Sequence, residues 1–262
     1  MTLKFFSPFF GARTGNLKVS LVNEPPSVLA DAVLLLRASS VNPETHVNGD
    51  PWVNEGTAES DYNAIGGTGA LEPPNPGIPL LVDDDGPGFS FGHTSPPADY
   101  YYVPQGPAIE FTTGSFTAFA RIKWIEATSG GLDNVMSKIL GTLGTDMYGW
   151  QIVDLGALGS TVAAISNNGS NPGTNPALAQ AGDTLELGEH LLVIRVDRDT
   201  EELALFVDGA KSTTDASGTP TVAVEHQLIF GRGKEQLGRA YGAWGRALTD
   251  TEITVELPAA IG

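Results

Sequence analysis

Paired carboxylates are the first chemistry to look for in this sequence. Hydrolysis of a glycosidic bond with retention uses two carboxyl groups about 5–5.5 Å apart. Alternate positions on one strand would place them on the same face. Asp197 and Asp199 have this spacing, but they end a strand pattern beside Arg195 and Arg198, and no set of alternating carboxylates accompanies them. We therefore predict that the chain is not an enzyme, and a carbohydrate-active hydrolase is the last alternative.

Serine and histidine chemistry has no better motif. No Gly-x-Ser-x-Gly run is followed by partners suited to a catalytic triad. The four histidines are scattered without metal-ligand spacing. We expect His190, which begins an apolar strand pattern, to be packed or hydrogen-bonded within the fold.

A metal site is suggested by the run Asp83-Asp84-Asp85-Gly86. Adjacent carboxylates repel one another, and a calcium ion with its oxygen ligands would relieve that repulsion. A solvated acidic turn before the next strand explains the same residues without a metal. Calcium is therefore a candidate cofactor at Asp83, Asp84 and Asp85, and the sequence requires no other.

Glycan binding is a further candidate because aromatic and amide side chains occur together along the chain. Ligand sites are lined by aromatic rings with a few polar groups that fix orientation. The candidate residues are Trp52, Tyr101, Trp150 and Asn168. About half of the side chains of an alternating strand face the core. Each ring is therefore either a stacking platform for a sugar or a core residue.

Residues 1–27 differ from the rest of the chain. Phe5, Phe6, Phe9 and Phe10 cluster around Pro8, and an apolar patch of this kind needs burial. We expect an extended N-terminal arm that docks either on its own domain or on a protein partner in a larger assembly. Residues 28–262 are predicted to form one domain with a long irregular loop at 42–80, present as a homo-oligomer or in many copies.

The composition excludes several classes of partner. The chain has 262 residues, with 14 basic against 31 acidic side chains and a net charge of −17. This charge disfavours nucleic acid and anionic membranes. There are no cysteines, so no disulfides stabilise the fold. No leader pattern or apolar span of about 20 residues is visible, so we expect synthesis without signal-directed export.

Short strands are predicted to position these groups. In residues 115–124, apolar side chains from Phe116 to Trp124 alternate with small or polar ones. Residues 190–197 and 203–207 form two more apolar runs, and Asp208-Gly209 then gives a strong turn signal. Thr249 with Glu252 predicts a helix start. Many short strands with little helix predict an all-β, antiparallel β-sandwich.

Several stretches carry a family resemblance when taken together. They are Phe89 to Gly92 with residues 99–104, the long strand 116–123, the hairpin His190 to Gly209, and Gly238 to Glu252. They resemble laminin-G-like, concanavalin A-like lectin-glucanase jelly-roll domains, of the kind found in phage virion and bacterial surface proteins. This resemblance implies a jelly-roll fold, in a family whose members bind ligands more often than they catalyse reactions. Calcium is bound by some of these relatives.

The resemblance and the arm together predict a non-catalytic structural or display module. The absence of cysteines and of a signal peptide pattern favours a bacteriophage virion as the assembly. In it, the chain would be a capsid decoration or a tail component. A bacterial surface or extracellular location is the alternative. A lectin-like glycan-binding module, with or without calcium, is the second hypothesis for function.

Overall fold

The protein was studied as a computed structural model, which describes residues 27–47, 50–68, 79–91, 99–111, 114–125, 133–140, 148–155, 159–167, 177–181, 184–216, 226–232 and 236–262. The predicted docking residues Phe5, Phe6, Phe9 and Phe10 lie outside these ranges, as does Asn168. Nearly all of the predicted arm therefore remains a prediction.

Two antiparallel sheets form a sandwich. The strands are, in chain order, β1 (Leu34–Arg37), β2 (Ile65–Thr68), β3 (Leu80–Asp83), β4 (Pro87–Phe91), β5 (Asp99–Val103), β6 (Phe116–Trp124), β7 (Asp133–Leu140), β8 (Tyr148–Asp154), β9 (Thr161–Asn167), β10 (Ala177–Gln180), β11 (Gly188–Asp197), β12 (Glu202–Val207), β13 (Ala210–Asp215), β14 (Leu228–Arg232) and β15 (Gln236–Trp244). The predicted all-β, antiparallel β-sandwich is confirmed.

The strand order joins distant parts of the chain. The first sheet runs β13-β12-β11-β6-β15-β4-β3, and β1 also pairs with β15. The second runs β10-β9-β8-β7-β14-β5-β2. β15 is central to the first sheet, since it pairs with β6, β4 and β1. The end of the sequence is therefore part of the middle of the fold.

The core between the sheets follows the alternation of the sequence. On β6, Phe116, Ala118, Ala120, Ile122 and Trp124 all belong to this core, as predicted from period two. On β12, Leu203 and Leu205 point inward, while Ala204 and Phe206 belong to a separate cluster. Both faces of β12 are therefore buried at these positions.

A second hydrophobic layer covers the outer face of the first sheet. Phe119 and Trp244 contribute rings whose centroids are 5.6 Å apart. Residues from both ends of the described chain pack with them, including Val28, Leu248, Ile253 and Leu257. The indole Nε1–H of Trp244 donates to the Val28 carbonyl at 2.9 Å. The first and the last segments of the described chain are thus fixed to the same surface.

The C-terminal segment begins with the predicted capping box. The amide of Glu252 donates to Thr249 Oγ1 at 3.2 Å, and the amide of Thr249 donates to Glu252 Oε2 at 2.7 Å. A wide helical turn follows at Glu252–Glu256, and α1 spans Leu257–Ile261. None of the helices in the described ranges is long and apolar enough to cross a membrane.

Candidate functional site

A cleft of about 580 Å³ lies along the chain that follows β1. After β1 the backbone makes a short helical turn at Ala38–Ser40, and it later returns to pair Trp52 with Ala64 just before β2. Much of this segment belongs to the irregular loop predicted at 42–80, and within the described residues the Trp52–Ala64 pair pins it. The cleft is lined by Arg37, Ser40, Val41, Asn42, Thr45, His46, Asp50, Pro51, Trp52, Val53, Glu55 and Asn63.

Buried Asn54 holds the cleft segment against β1. Its Oδ1 accepts from the amides of Leu35 and Gly56, each at 2.9 Å. Its Nδ2 donates to the carbonyls of Val33 and Glu59. A buried amide side chain with its donors and acceptors paired stabilises one backbone geometry. Asn54 therefore positions the neighbouring cleft residues.

Trp52 forms the floor of the cleft. Its ring centroid is 4.6 Å from that of Phe89, 5.7 Å from Tyr101 and 5.9 Å from Tyr241. Only 1% of Trp52 is exposed. The cleft therefore rests directly on the aromatic core of the sandwich.

Three buried polar atoms at or near this floor have no hydrogen-bond partner within the described ranges. Trp52 Nε1 and His46 Nε2 belong to residues that line the cleft, and the third is the hydroxyl of Tyr101, whose ring packs against Trp52. A buried polar group without a partner costs about 1–3 kcal/mol. Burial raises the pKa of Tyr101, and the Asp50 carboxylate raises it further. The hydroxyl consequently stays protonated at neutral pH.

The rim of the cleft carries hydrogen-bonding groups of several kinds. Arg37 forms an ion pair with Glu55, and the hydroxyl of Ser40 donates to the same carboxylate. Asp50 Oδ2 accepts from the amide of Val47 at 2.9 Å, and no described residue bonds its other oxygen. Asn63 accepts from the amide of Asn54 through Oδ1. Free amide and carboxylate positions over an apolar floor suit reversible binding of a polar ligand.

The rings predicted as sugar platforms are core residues, which corrects that prediction. Trp52, Tyr101 and Trp150 are at most 1% exposed, and Trp150 packs against Phe116 at 5.3 Å between centroids. They occupy inward positions of their segments, so their faces contact other rings. Trp52 is nevertheless beside a cleft, where it provides an edge and a floor instead of a stacking face.

The acidic run Asp83-Asp84-Asp85 forms the turn between β3 and β4, where protein cations compensate it. Lys123 Nζ lies 2.8 Å from Asp84 Oδ2 and 3.6 Å from Asp85 Oδ2, and its hydrogen bond lowers the pKa of Asp84. Asp83 Oδ1 accepts from the amide of Gly86. Among the described residues, no three or more carboxylate, histidine or cysteine side chains come together as a metal ion would require. This turn therefore supplies no set of calcium ligands, and calcium binding stays a prediction.

A second cleft of about 480 Å³ lies beside this turn, and its cations are already engaged. Arg239 donates to Glu189 at 2.9 Å and to the carbonyls of Asp84 and Gly86. Arg121 donates to the Ile261 carbonyl at 3.0 Å. With Lys123 bound to Asp84, these groups fasten the surface of the first sheet, and we assign them a structural role.

The run Gly88-Phe89-Ser90-Phe91-Gly92 has the spacing of a nucleophile elbow but not its geometry. A nucleophile elbow places serine on a sharp turn between strand and helix. Ser90 lies inside β4, is 7% exposed, and is paired with Leu80 on one side and Leu237 on the other. This serine is a strand residue.

Comparison with known proteins identifies the fold and no family. No protein-family model matches the sequence, and no curated protein matches it. Among solved structures, the chain is similar to the binding domain of botulinum neurotoxin DC in complex with SialylT, with a TM-score of 0.62 and 13% identity. The match covers 90% of this chain and 53% of that one.

Other structural neighbours are binding domains or toxins as well. Botulinum neurotoxin type C, described as dependent on two ganglioside molecules to enter cells, gives a TM-score of 0.61 with 12% identity over 88% of this chain and 52% of that chain. The binding domain of Paraclostridial Mosquitocidal Protein 1 gives 0.60 with 13% identity over 86% and 51%. This chain therefore shares a β-sandwich fold with about half the length of each neighbour.

Proposed function

We propose that this chain is a non-catalytic binding module whose cleft at residues 37–63 takes a glycan. The observation that carries the proposal is the cleft itself. Rim groups such as Asp50 and Asn63 offer an acceptor and a donor, the floor is apolar, and polar atoms beneath it lack partners in the described structure. Sugars combine hydroxyl groups with apolar C–H faces, and this cleft offers a counterpart to both.

The fold supports the same proposal indirectly. Neighbouring structures are described with a sialylated glycan, with gangliosides or with synaptotagmin II. Those descriptions apply to chains about twice as long as the matched part. The likeness therefore favours a binding role over catalysis, while the ligand class rests on the cleft.

A glycan array with a blocked variant tests this function. Val53 lines the cleft and is 58% exposed, so Val53→Trp obstructs the cleft without entering the core. Leu178 on β10 is 41% exposed and does not line the cleft, so Leu178→Trp adds the same ring elsewhere. We expect binding that Val53→Trp abolishes and Leu178→Trp retains, with calcium and without it. A flat array under both conditions contradicts the proposal.

We also propose that the module is displayed on a larger assembly through residues 1–27, as a capsid decoration or tail component of a bacteriophage. A bacterial surface or extracellular position is the alternative. The apolar residues Phe5, Phe6, Phe9 and Phe10 support a docking role. Val28, the first residue after the proposed arm, lies in the outer hydrophobic layer, whereas Trp52 belongs to the core between the sheets. Attachment and binding would thus use different parts of the molecule.

Incorporation into the assembly tests the display role. A variant lacking residues 1–26 is expressed alongside the assembly, and its copy number is compared with that of the full chain and of Val53→Trp. We expect the truncated chain to be absent from purified particles and Val53→Trp to be present at full occupancy. Normal incorporation of the truncated chain would contradict docking by the arm.

A further inference from the structure

The charges around the cleft distinguish between classes of glycan. Among the described residues that line it are one cationic side chain, Arg37, and two anionic ones, Asp50 and Glu55. Arg37 donates to Glu55 through both Nε and Nη2. The positive group described at the cleft is therefore neutralised by its neighbour, and the carboxylate of Asp50 remains uncompensated by any described residue.

Several other cations of the described residues are engaged by their own partners. Arg121, Lys123 and Arg239 surround the second cleft and are held by Glu189, Asp84 and backbone carbonyls. Arg195 and Lys211 share Glu202 and Asp250. A carboxylate on a ligand would have to compete with these intramolecular pairs, in a chain whose net charge is −17.

The rim also has the hydrogen-bonding pattern of a site for hydroxyl groups. Asp50 Oδ1 is an acceptor without a described partner, since only Oδ2 is bonded, by the amide of Val47. The side-chain amides of Asn42 and Asn63 each use their oxygen for a backbone amide, of Glu44 and Asn54 respectively. Their NH₂ groups are left as donors. An acceptor and two donors that line the same cleft match a diol better than an anion.

The partnerless atoms of the floor point the same way. Trp52 Nε1 can only donate a hydrogen bond, and His46 Nε2 can donate or accept according to its tautomer. Neither group carries a fixed positive charge. Groups of this kind pair with hydroxyls or water, whereas a carboxylate that entered the cleft would approach the Asp50 charge without gaining a cation.

From this combination we infer that the cleft selects uncharged, hydroxyl-rich saccharides and rejects sialylated or otherwise anionic ones. The inference rests on the proposed function and specifies its ligand class. Like charges placed together across a binding site lower affinity and reject wrong partners. The selected class differs from the sialylated glycan in the complex of the structural neighbour.

Matched sugars measure the selectivity. The glycan array first identifies the neutral sugar that binds best. That sugar and its sialylated form, such as lactose and sialyllactose, are then titrated into the full chain at low salt by ligand-observed NMR. We expect the neutral sugar to bind at least about tenfold more tightly than its sialylated counterpart, a difference of about 1.4 kcal/mol. Added salt should reduce the difference in affinity between the two sugars, because screening weakens the repulsion between the ligand carboxylate and Asp50.

Two isosteric variants assign the effect to the cleft. Asp50→Asn keeps an oxygen for the Val47 amide, removes the charge, and should reduce the discrimination to about threefold or less. Asp85→Asn removes one charge from a side chain that is 94% exposed beside the second cleft, and it should leave the tenfold ratio unchanged. Equal reduction by both variants would mean that net charge causes the selectivity, which overturns the inference.

Failure of the inference and failure of the proposed function give different results. Binding of sialylated sugars as tightly as neutral ones, abolished by Val53→Trp, would overturn the inference and keep the proposed function. Absence of binding to every array member would overturn both. Neutral selectivity that survives Val53→Trp would place the site outside the cleft and would also overturn the inference.

Discussion

His190 is a residue whose surroundings predict how stability depends on pH. Its Nδ1 lies 2.7 Å from Asp208 Oδ2, and its Nε2 lies 2.8 Å from the Glu186 carbonyl. The hydrogen bond to Asp208 raises the pKa of His190, and burial opposes this in part. The expectation from sequence that this ring is hydrogen-bonded is confirmed.

We predict a loss of stability as the pH rises from 6 to 8. A histidine whose folded pKa lies above its unfolded value of about 6.5 stabilises the fold below that pH, and the contribution disappears as pH passes the folded pKa. Asp208 is 48% exposed, so solvent screening limits the effect to about 0.5–1 kcal/mol. Urea unfolding at both pH values measures it.

The matched variant for this pair is Asp208→Asn. Asp208 has φ of 49°, a backbone conformation that asparagine also tolerates, and an asparagine oxygen still accepts from the Leu191 amide. We expect the variant to lose the difference between pH 6 and pH 8 that the parent shows. An unchanged difference would assign the pH dependence to other groups.

At the scale of elements, Arg239 fixes the turn between β3 and β4. The pairing of β15 with β6 shifts between Gly238 and Ala240, which leaves Arg239 in a bulge, 8% exposed. Its guanidinium reaches Glu189 and two carbonyls of the turn. A bulge changes the direction of a side chain. Here the bulge directs the Arg239 guanidinium to the turn between β3 and β4, at the edge of the sheet.

We predict that Arg239→Met destabilises the protein by about 2–4 kcal/mol, because carbonyls and a carboxylate lose a buried charged partner. Hydrogen exchange of the Gly86 amide should accelerate strongly. Arg121→Met is the control, since Arg121 contacts Glu189 and Ile261 but not the turn. It should cost less than about 1 kcal/mol. Similar exchange at Gly86 in both variants would contradict a specific role for Arg239.

Elements with local signals were predictable from sequence. Asp208 and Gly209, with φ of 49° and 84°, form the expected two-residue turn between β12 and β13. The alternation of β6 and the capping box at Thr249 depend equally on neighbouring residues. Their chemistry is visible in a few consecutive positions, and the structure reproduces it.

The bulge at Arg239 and the cleft could not be predicted in this way. Trp52 becomes a floor because Phe89, Tyr101 and Tyr241 converge on it from three other strands. The negative charge of Asp84 is balanced by Lys123, because β6 brings that lysine beside it. These contacts join residues about 40 or more positions apart, and exposure and charge compensation are determined only when the sheets have assembled.

At the scale of the whole molecule, the described residues form three layers, because segments near residue 28 and residues 248–257 cover the first sheet on its outer side. Val28 is 4% exposed within that cover, and its carbonyl accepts from Trp244. Val28 is therefore part of the fold, and the limit between arm and domain at residue 27 remains a proposal. Truncation at two positions tests this boundary.

Removal of residues 1–26 should leave a folded sandwich, with unchanged far-ultraviolet circular dichroism and a Tm within about 3 °C of the full chain. Removal of residues 1–33 also deletes Val28 and the acceptor of the Trp244 bond, at a cost of about 3–5 kcal/mol. For a domain of this size, that corresponds to a Tm lower by roughly 6–20 °C. Calorimetry on both truncated chains and on the full chain measures these Tm values. An equal and large loss of Tm in both would show that residues before Ser27 belong to the domain, so that they could not serve as a separable docking arm.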